Sequence, residues 1–126
     1  MVVFDTSLLI DAARGKKYVL DLLDSYERER IATTVITEYE LLRGGTNQNL
    51  EFILELLDRF EVLDFGEEAV KESVKAYKSL KAKGKMINEL DFLIAGIAAA
   101  NNETLVTRDK DFLKLESSKI VVLPQG

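Results

Sequence analysis

The chain has no cysteine, no histidine and no tryptophan, and a single proline among its 126 residues. Lack of cysteine removes disulfide frameworks and thiolate chemistry, and lack of histidine removes the commonest general base. Ser/His/Asp and Cys/His catalysis therefore fall away, together with every thiolate or imidazole metal site. Hydrolytic chemistry here would have to run on carboxylates, hydroxyls, lysine or a bound cation. A cysteine-free chain also fits a reducing interior such as the cytoplasm. The longest apolar run, Phe92 to Ala100, has nine residues and is too short to cross a bilayer as a helix. Met1 to Phe4 lead straight into Asp5 without a basic start or a small-residue cleavage site, so neither a signal peptide nor a membrane role is expected. With Pro124 the one proline, and no Ser/Gly tract or internal repeat, a single domain over residues 1–126 is expected.

Positive charge is also short: 17 Lys and Arg against 22 Asp and Glu give a net charge of −5. That is the opposite of the basic footprint of a protein that holds nucleic acid mainly through phosphates. It weighs less against a metal-dependent nuclease, whose clustered carboxylates inflate the negative count until cations neutralise them. An acidic surface equally suits a basic protein partner.

The apolar fraction is 47%, enough for one core. Val2 to Phe4 reads as a short buried strand, followed by a helix over Thr6 to Arg14. From Tyr18 to Arg30 the positions Val19, Leu22, Leu23 and Tyr26 recur at helical spacing. Ile31 to Thr33 forms a strand, and Thr34 is the N-cap of a helix running to Arg43 and ended by Gly44-Gly45. The next helix carries one apolar stripe of Leu50, Ile53, Leu54 and Leu57 and a second of Phe52 and Leu56. One stripe suffices for a surface helix, so the extra face suggests self-association. A strand within Phe60 to Phe65 follows, then a helix with Val70, Val74, Tyr77 and Leu80 at helical spacing, closed by Lys81 to Lys85. Asn88 starts an apolar helix through Ala100, Thr104 to Val106 is a strand, Asp109 to Leu115 a short helix, and Ile120 to Leu123 a last strand. Alternating strands and helices predict an α/β fold: a three-layer α/β/α sandwich around a central, mainly parallel sheet with right-handed crossovers. Ligands of such sheets gather beyond the carboxyl ends of the strands, near a reversal of strand order.

Carboxylates stand at several such ends. Asp5 could cap the helix that follows it, and Asp91 lies three residues after Asn88, as in a capping box. Asp109 and Asp111 could charge the start of a short helix. Glu38 and Glu40 flank the same side of their helix, and helical geometry does not choose between them. Each acid alone has an adequate structural role. Gathered around one pocket, without His or Cys, they would suit a hard cation such as Mg²⁺ or Mn²⁺.

Four segments taken together resemble the PIN-domain family, and within it the small stand-alone toxin nucleases of VapBC-type toxin–antitoxin pairs. VVFDTS matches the family's apolar strand ending in Asp and then Thr or Ser. Glu40 and Gly44 match its Glu followed four residues later by Gly. Asp91, Leu93, Ile94 and Ala95 match D-x-L-I-A, and Leu105 to Phe112 match its apolar strand, Thr, acid and D-F pair. The resemblance covers nearly the whole chain and implies a PIN-like fold. It implies Asp5, Glu40, Asp91 and Asp109 as catalytic metal ligands, with Asp111 a further candidate ligand and Thr6, Ser7 and Thr107 as supporting hydroxyls. It also implies Mg²⁺ or Mn²⁺ as cofactor, RNA as substrate, a homodimer, and a VapB-type antitoxin inserting a basic segment into the acidic groove. Arg14, Arg43, Arg108 and Lys110 are candidates to hold substrate phosphates. Other readings of the same acids are a PIN nuclease outside toxin systems acting in RNA processing or on DNA, a receiver or phosphatase type of α/β domain, and a non-catalytic acidic binding module.

Overall fold

A computed structural model describes residues 1–26 and 29–124. Its elements are β1 (Val2–Phe4), α1 (Thr6–Ala13), α2 (Lys17–Ser25), β2 (Ile31–Thr34), α3 (Val35–Gly44), α4 (Leu50–Asp58), β3 (Glu61–Leu63), α5 (Glu67–Ala82), α6 (Glu89–Ala100), β4 (Thr104–Thr107) and β5 (Ile120–Val122), with a 3-10 segment at Lys110–Leu115. The five strands form one parallel sheet in the order β3-β2-β1-β4-β5. The chain winds outward from β1 to β3 and then returns to the other side of β1. Strand order thus reverses between β1 and β4, which is where ligands of such sheets are expected to gather.

Side chains alternate across the sheet as a pleat requires. Phe4, Ile31 and Val106 face one apolar layer with Leu8, Leu9, Val19, Leu23, Leu41, Ile53 and Leu57, supplied by α1 to α4. Val3, Ala32, Leu63 and Leu105 face the opposite layer with Ala69, Ile94, Ile97 and Phe112. Helices therefore cover both faces, and the sheet is the middle of three layers. Phe4 is fully buried, and its ring meets Tyr26 edge-on at 5.9 Å and Phe60 at 5.6 Å. Among the described residues no helix is long and apolar enough to cross a membrane.

Three expectations change. The helix expected over Tyr18 to Arg30 ends at Ser25, with Glu29 and Arg30 outside it; the expected span also includes residues 27 and 28, which lie outside the described residues. In α4 the buried positions are Ile53, Leu56 and Leu57, which cut across both expected stripes and leave Leu50, Phe52 and Leu54 exposed. In α5 only the second half of the stripe of Val70, Val74, Tyr77 and Leu80 lies on the buried face. Ala69, Ser73 and Leu80 are buried, while Val70 and Val74 are exposed. The reason is close helix packing: a Cβ on Gly96 of α6 would meet Ser73 Oγ at 1.9 Å and the Ala69 carbonyl at 2.7 Å. Only small residues fit opposite Gly96, whereas further along α5 Tyr77 and Leu80 pack against Phe92 of α6, so hydrophobicity alone misplaced the first half of the buried face.

Candidate active site at the strand reversal

The Asp5 amide donates to the Val106 carbonyl at 3.0 Å, so the β1–β4 ladder continues one bond past the strand and fixes Asp5 at the strand reversal. Asp5 is only 2% exposed. Although it is the N-cap residue of α1, its side chain makes no capping hydrogen bond. Its Oδ2 instead accepts from Thr107 Oγ1 at 2.5 Å and from Ser7 Oγ at 2.9 Å. Its Oδ1 is buried with no hydrogen-bond partner among the described residues. Burial pushes the Asp5 carboxyl above the usual range, opposed in part by the hydroxyls of Thr107 and Ser7 and by the nearby amides of Thr6 and Ser7. A buried carboxylate oxygen without a donor costs free energy unless a proton or a cation meets it.

Asp91 sits in the first turn of α6, where Asn88 is the cap and accepts from the Leu90 amide at 3.0 Å. Its carboxyl is pushed up to about 7, first by desolvation and then by the charges of Asp5, Asp109, Glu40 and Asp111 in that order. Four other acids, carried by the end of β1, α3 and the segment after β4, therefore lie close enough to Asp91 on α6 for their charges to bear on it. Among the described residues no three of them close into a preassembled ligand cluster.

The remaining acids differ in their surroundings. Glu40 is half-buried on α3, and its Oε1 accepts from Thr6 Oγ1 at 2.8 Å, which ties it to the residue following Asp5. Asp109 is half-buried; its Oδ1 caps the 3-10 segment by accepting from the Asp111 amide at 2.9 Å, and its own amide donates to Thr107 Oγ1 at 3.0 Å. Asp111 is exposed and lies 3.6 Å from Lys114 Nζ. Glu38 lies in the first turn of α3, where its charge suits the helix N-terminus.

Of the cations considered for phosphate contact, Arg108 is engaged elsewhere. Its Nε pairs at 2.9 Å with Asp11, a carboxylate 1% exposed, and its amide donates to Ser7 Oγ at 3.1 Å. Tyr18 also donates to Asp11, and partial burial together with that bond pushes the Tyr18 hydroxyl up to about 12. Arg43 packs over the Tyr39 ring at 5.0 Å, while Arg14 and Lys110 are exposed. Sequence reasoning missed Asp11, which reads as one more polar position on an amphipathic helix. It also missed Thr37, which is fully buried.

A sequence profile described as the PIN domain matches residues 2–117. Ribonuclease VapC1 of Methanocaldococcus jannaschii is 31% identical over 110 residues, which cover 86% of this chain and 76% of the relative. In the crystal structure of VapBC2 from Rickettsia felis bound to a DNA fragment from their promoter, a chain matches with a TM-score of 0.85 and 25% identity, covering 98% of each. VapBC-5 from Mycobacterium tuberculosis, a member of the VapBC family of toxin–antitoxin systems, matches with a TM-score of 0.70 and 26% identity over 97% of this chain and 96% of that one.

Proposed function

The chain belongs to the PIN-domain family, and we propose that it is a metal-dependent endoribonuclease, the toxin of a VapBC-type pair. One observation carries the reading: the unpartnered, buried Oδ1 of Asp5 lies among acids, and burial together with their charges lifts Asp91 to about 7. A divalent cation relieves both strains at once, and an all-oxygen donor set suits Mg²⁺ or Mn²⁺. Asp5, Glu40, Asp91 and Asp109 would hold it, with Asp111 at the rim. Hard cations of this kind retain waters, so direct contact with every acid is not required. When bound, the cation supplies a water of lowered pKa and neutralises charge on the phosphodiester. The protein's own part is to hold the acids: Thr107 and Ser7 fix one oxygen of Asp5, Thr6 fixes one oxygen of Glu40, and the 3-10 turn fixes Asp109.

RNA as substrate is supported by the relative named a ribonuclease. The test is cleavage of a mixed RNA and DNA panel with and without Mn²⁺, comparing wild type with Asp5→Asn and Asp91→Asn. Cleavage of RNA that needs Mn²⁺ and disappears in both variants is expected. Variants that cut as well as wild type would assign the activity to another site or to a contaminant.

A VapB-type antitoxin would insert a basic segment, its Arg or Lys pairing with the carboxylates that otherwise hold the cation. Co-purification with the product of an adjacent small gene is expected, and absence of affinity would remove that partner. A homodimer would cover the exposed Leu50, Phe52 and Leu54 of α4. A solution mass of monomer alone would count against it.

A further inference from the structure

Thr34, Thr37 and Thr6 form a line of buried hydroxyls that ends on Glu40. Thr34 Oγ1 donates to Thr37 Oγ1 at 3.3 Å while accepting from the Thr37 amide at 3.1 Å, so it is also the N-cap of α3. Thr37 Oγ1 and Thr6 Oγ1 are 2.9 Å apart, a pair in which either could donate. Each hydroxyl has one hydrogen, and that of Thr6 is directed to Glu40 Oε1 at 2.8 Å. The ambiguous bond is thereby resolved: Thr37 donates to Thr6. All three hydrogens then run in one direction, from the start of α3 through α1 and back to the carboxylate one turn further along α3.

We infer that Thr37 is a positioning residue for Glu40, acting through Thr6. Its hydroxyl occupies the acceptor side of Thr6 and so directs the Thr6 hydrogen at the carboxylate. This fixes one oxygen of Glu40 and presents the group to the pocket, and aligned hydroxyl chains reinforce each bond by polarisation. The inference rests on the cation-binding reading above, since a fixed Glu40 matters most as part of a ligand set. Thr37 touches neither the cation nor the substrate in this account.

Thr37→Val keeps the shape of the side chain and removes the donor. A methyl carbon sits about 3.3–3.6 Å from an oxygen, so it cannot occupy a position 2.9 Å from Thr6 Oγ1, and Thr6 must move. The full chain, freed of metal, is titrated with Mn²⁺ by calorimetry as wild type, Thr37→Val, Thr37→Ser, Glu40→Gln and the Thr37→Val/Glu40→Gln double variant. Loss of an outer partner of a metal ligand weakens binding roughly 10–100-fold, and Thr37→Val is expected at the lower end of that range. Thr37→Ser, which retains the hydroxyl, is expected to bind within about threefold of wild type by the same scale. In the Glu40→Gln background Thr37→Val should add no further loss, which a general loosening of α3 would not reproduce. If Thr37→Val does not fold, Thr37→Ala takes its place with the same expected pattern against Thr37→Ser.

Unchanged Mn²⁺ affinity in Thr37→Val, or equal losses in the Val and Ser variants, overturns the inference. A crystal structure of metal-free Thr37→Val gives a readout that needs no cation. Displacement of Glu40 Oε1 from Thr6 Oγ1 supports the inference, and an unmoved carboxylate refutes it. If wild type itself binds no Mn²⁺, the nuclease reading fails on its own, and that structure still decides the role of Thr37.

Discussion

Replacing Asp91 by Asn should make the metal-free protein more stable at pH 8 while abolishing tight binding of the cation. The folded-state pKa of Asp91 is raised to about 7 from a reference of 3.8, so the folded protein takes up a proton between those values. For a group raised in this way the associated stability is complete below the unfolded pKa and is lost as pH rises through the folded one. At pH 5 roughly two of the three pK units remain, nominally about 2.7 kcal/mol at 1.36 kcal/mol per unit. Asp91 is half-buried and solvent screens its neighbours' charges, which reduces the figure to about 1–1.5 kcal/mol. Asn carries no charge at either pH and lacks this slope. Urea unfolding in EDTA at pH 5 and pH 8 should therefore show Asp91→Asn gaining about 1–1.5 kcal/mol relative to wild type between the two conditions. For a domain of this size the gain corresponds to a rise in Tm of about 3–8 °C. Comparing the two proteins removes the slope that burial of Asp5 contributes to both, since burial is the chief cause of its raised carboxyl. Parallel stability profiles for wild type and variant would refute the claim that burial and the neighbouring acids raise Asp91.

Other perturbations separate the site from its scaffold. Mn²⁺ should raise the Tm of wild type more at pH 8 than at pH 5, because ligands must lose their protons before the cation binds; equal shifts at both values would show binding elsewhere. Asp11→Asn should cost about 1–3 kcal/mol in urea unfolding, since Arg108 loses its buried partner but keeps some access to water; no measurable change would make that pair incidental. Ser73→Ala should be neutral or stabilising, because Ser73 Oγ is buried without a partner among the described residues, and a loss above about 1 kcal/mol by thermal denaturation would contradict this. Gly96→Ala should cost at least 1–3 kcal/mol through overpacking, and Ser73→Ala should not rescue it, because the Ala69 carbonyl and Ser73 amide also crowd the new methyl.

The parts of this fold legible in the sequence were those governed by local pattern. Apolar runs marked all five strands, and Thr34 and Asn88 announced their helices because capping is chemistry within three residues. The stop of α2 at Ser25 was not legible, since Tyr26 continues the helical spacing while its ring turns to Phe4. The buried face of α5 was hidden for a related reason: Gly96, far along the chain, sets which residues of α5 fit against it. In the candidate site, the acids stood out through the family resemblance of their segments. Asp5, Asp91 and Asp109 also mark ends of elements, whereas Glu40 lies inside α3, where helical geometry does not separate it from Glu38. The hydroxyls that hold these acids were only half legible. Thr6, Ser7 and Thr107 adjoin acids in sequence, but Thr37 meets Thr6 across a separation of 31 residues, and nothing in ITEYE distinguishes a threonine that relays a hydrogen bond from one that fills space. Asp11 was equally silent, because its partner Arg108 comes from the far side of the strand reversal.

The central claim is that acids from four separate elements converge to hold one divalent cation. Crystals of the wild-type protein soaked in Mn²⁺ and measured at a wavelength giving manganese anomalous signal test it directly. The account predicts a peak at the strand reversal between β1 and β4, with the unpartnered Oδ1 of Asp5 and the carboxylate of Asp91 turned towards it. Absence of a peak there, in crystals whose dissolved protein still cleaves RNA, would contradict it.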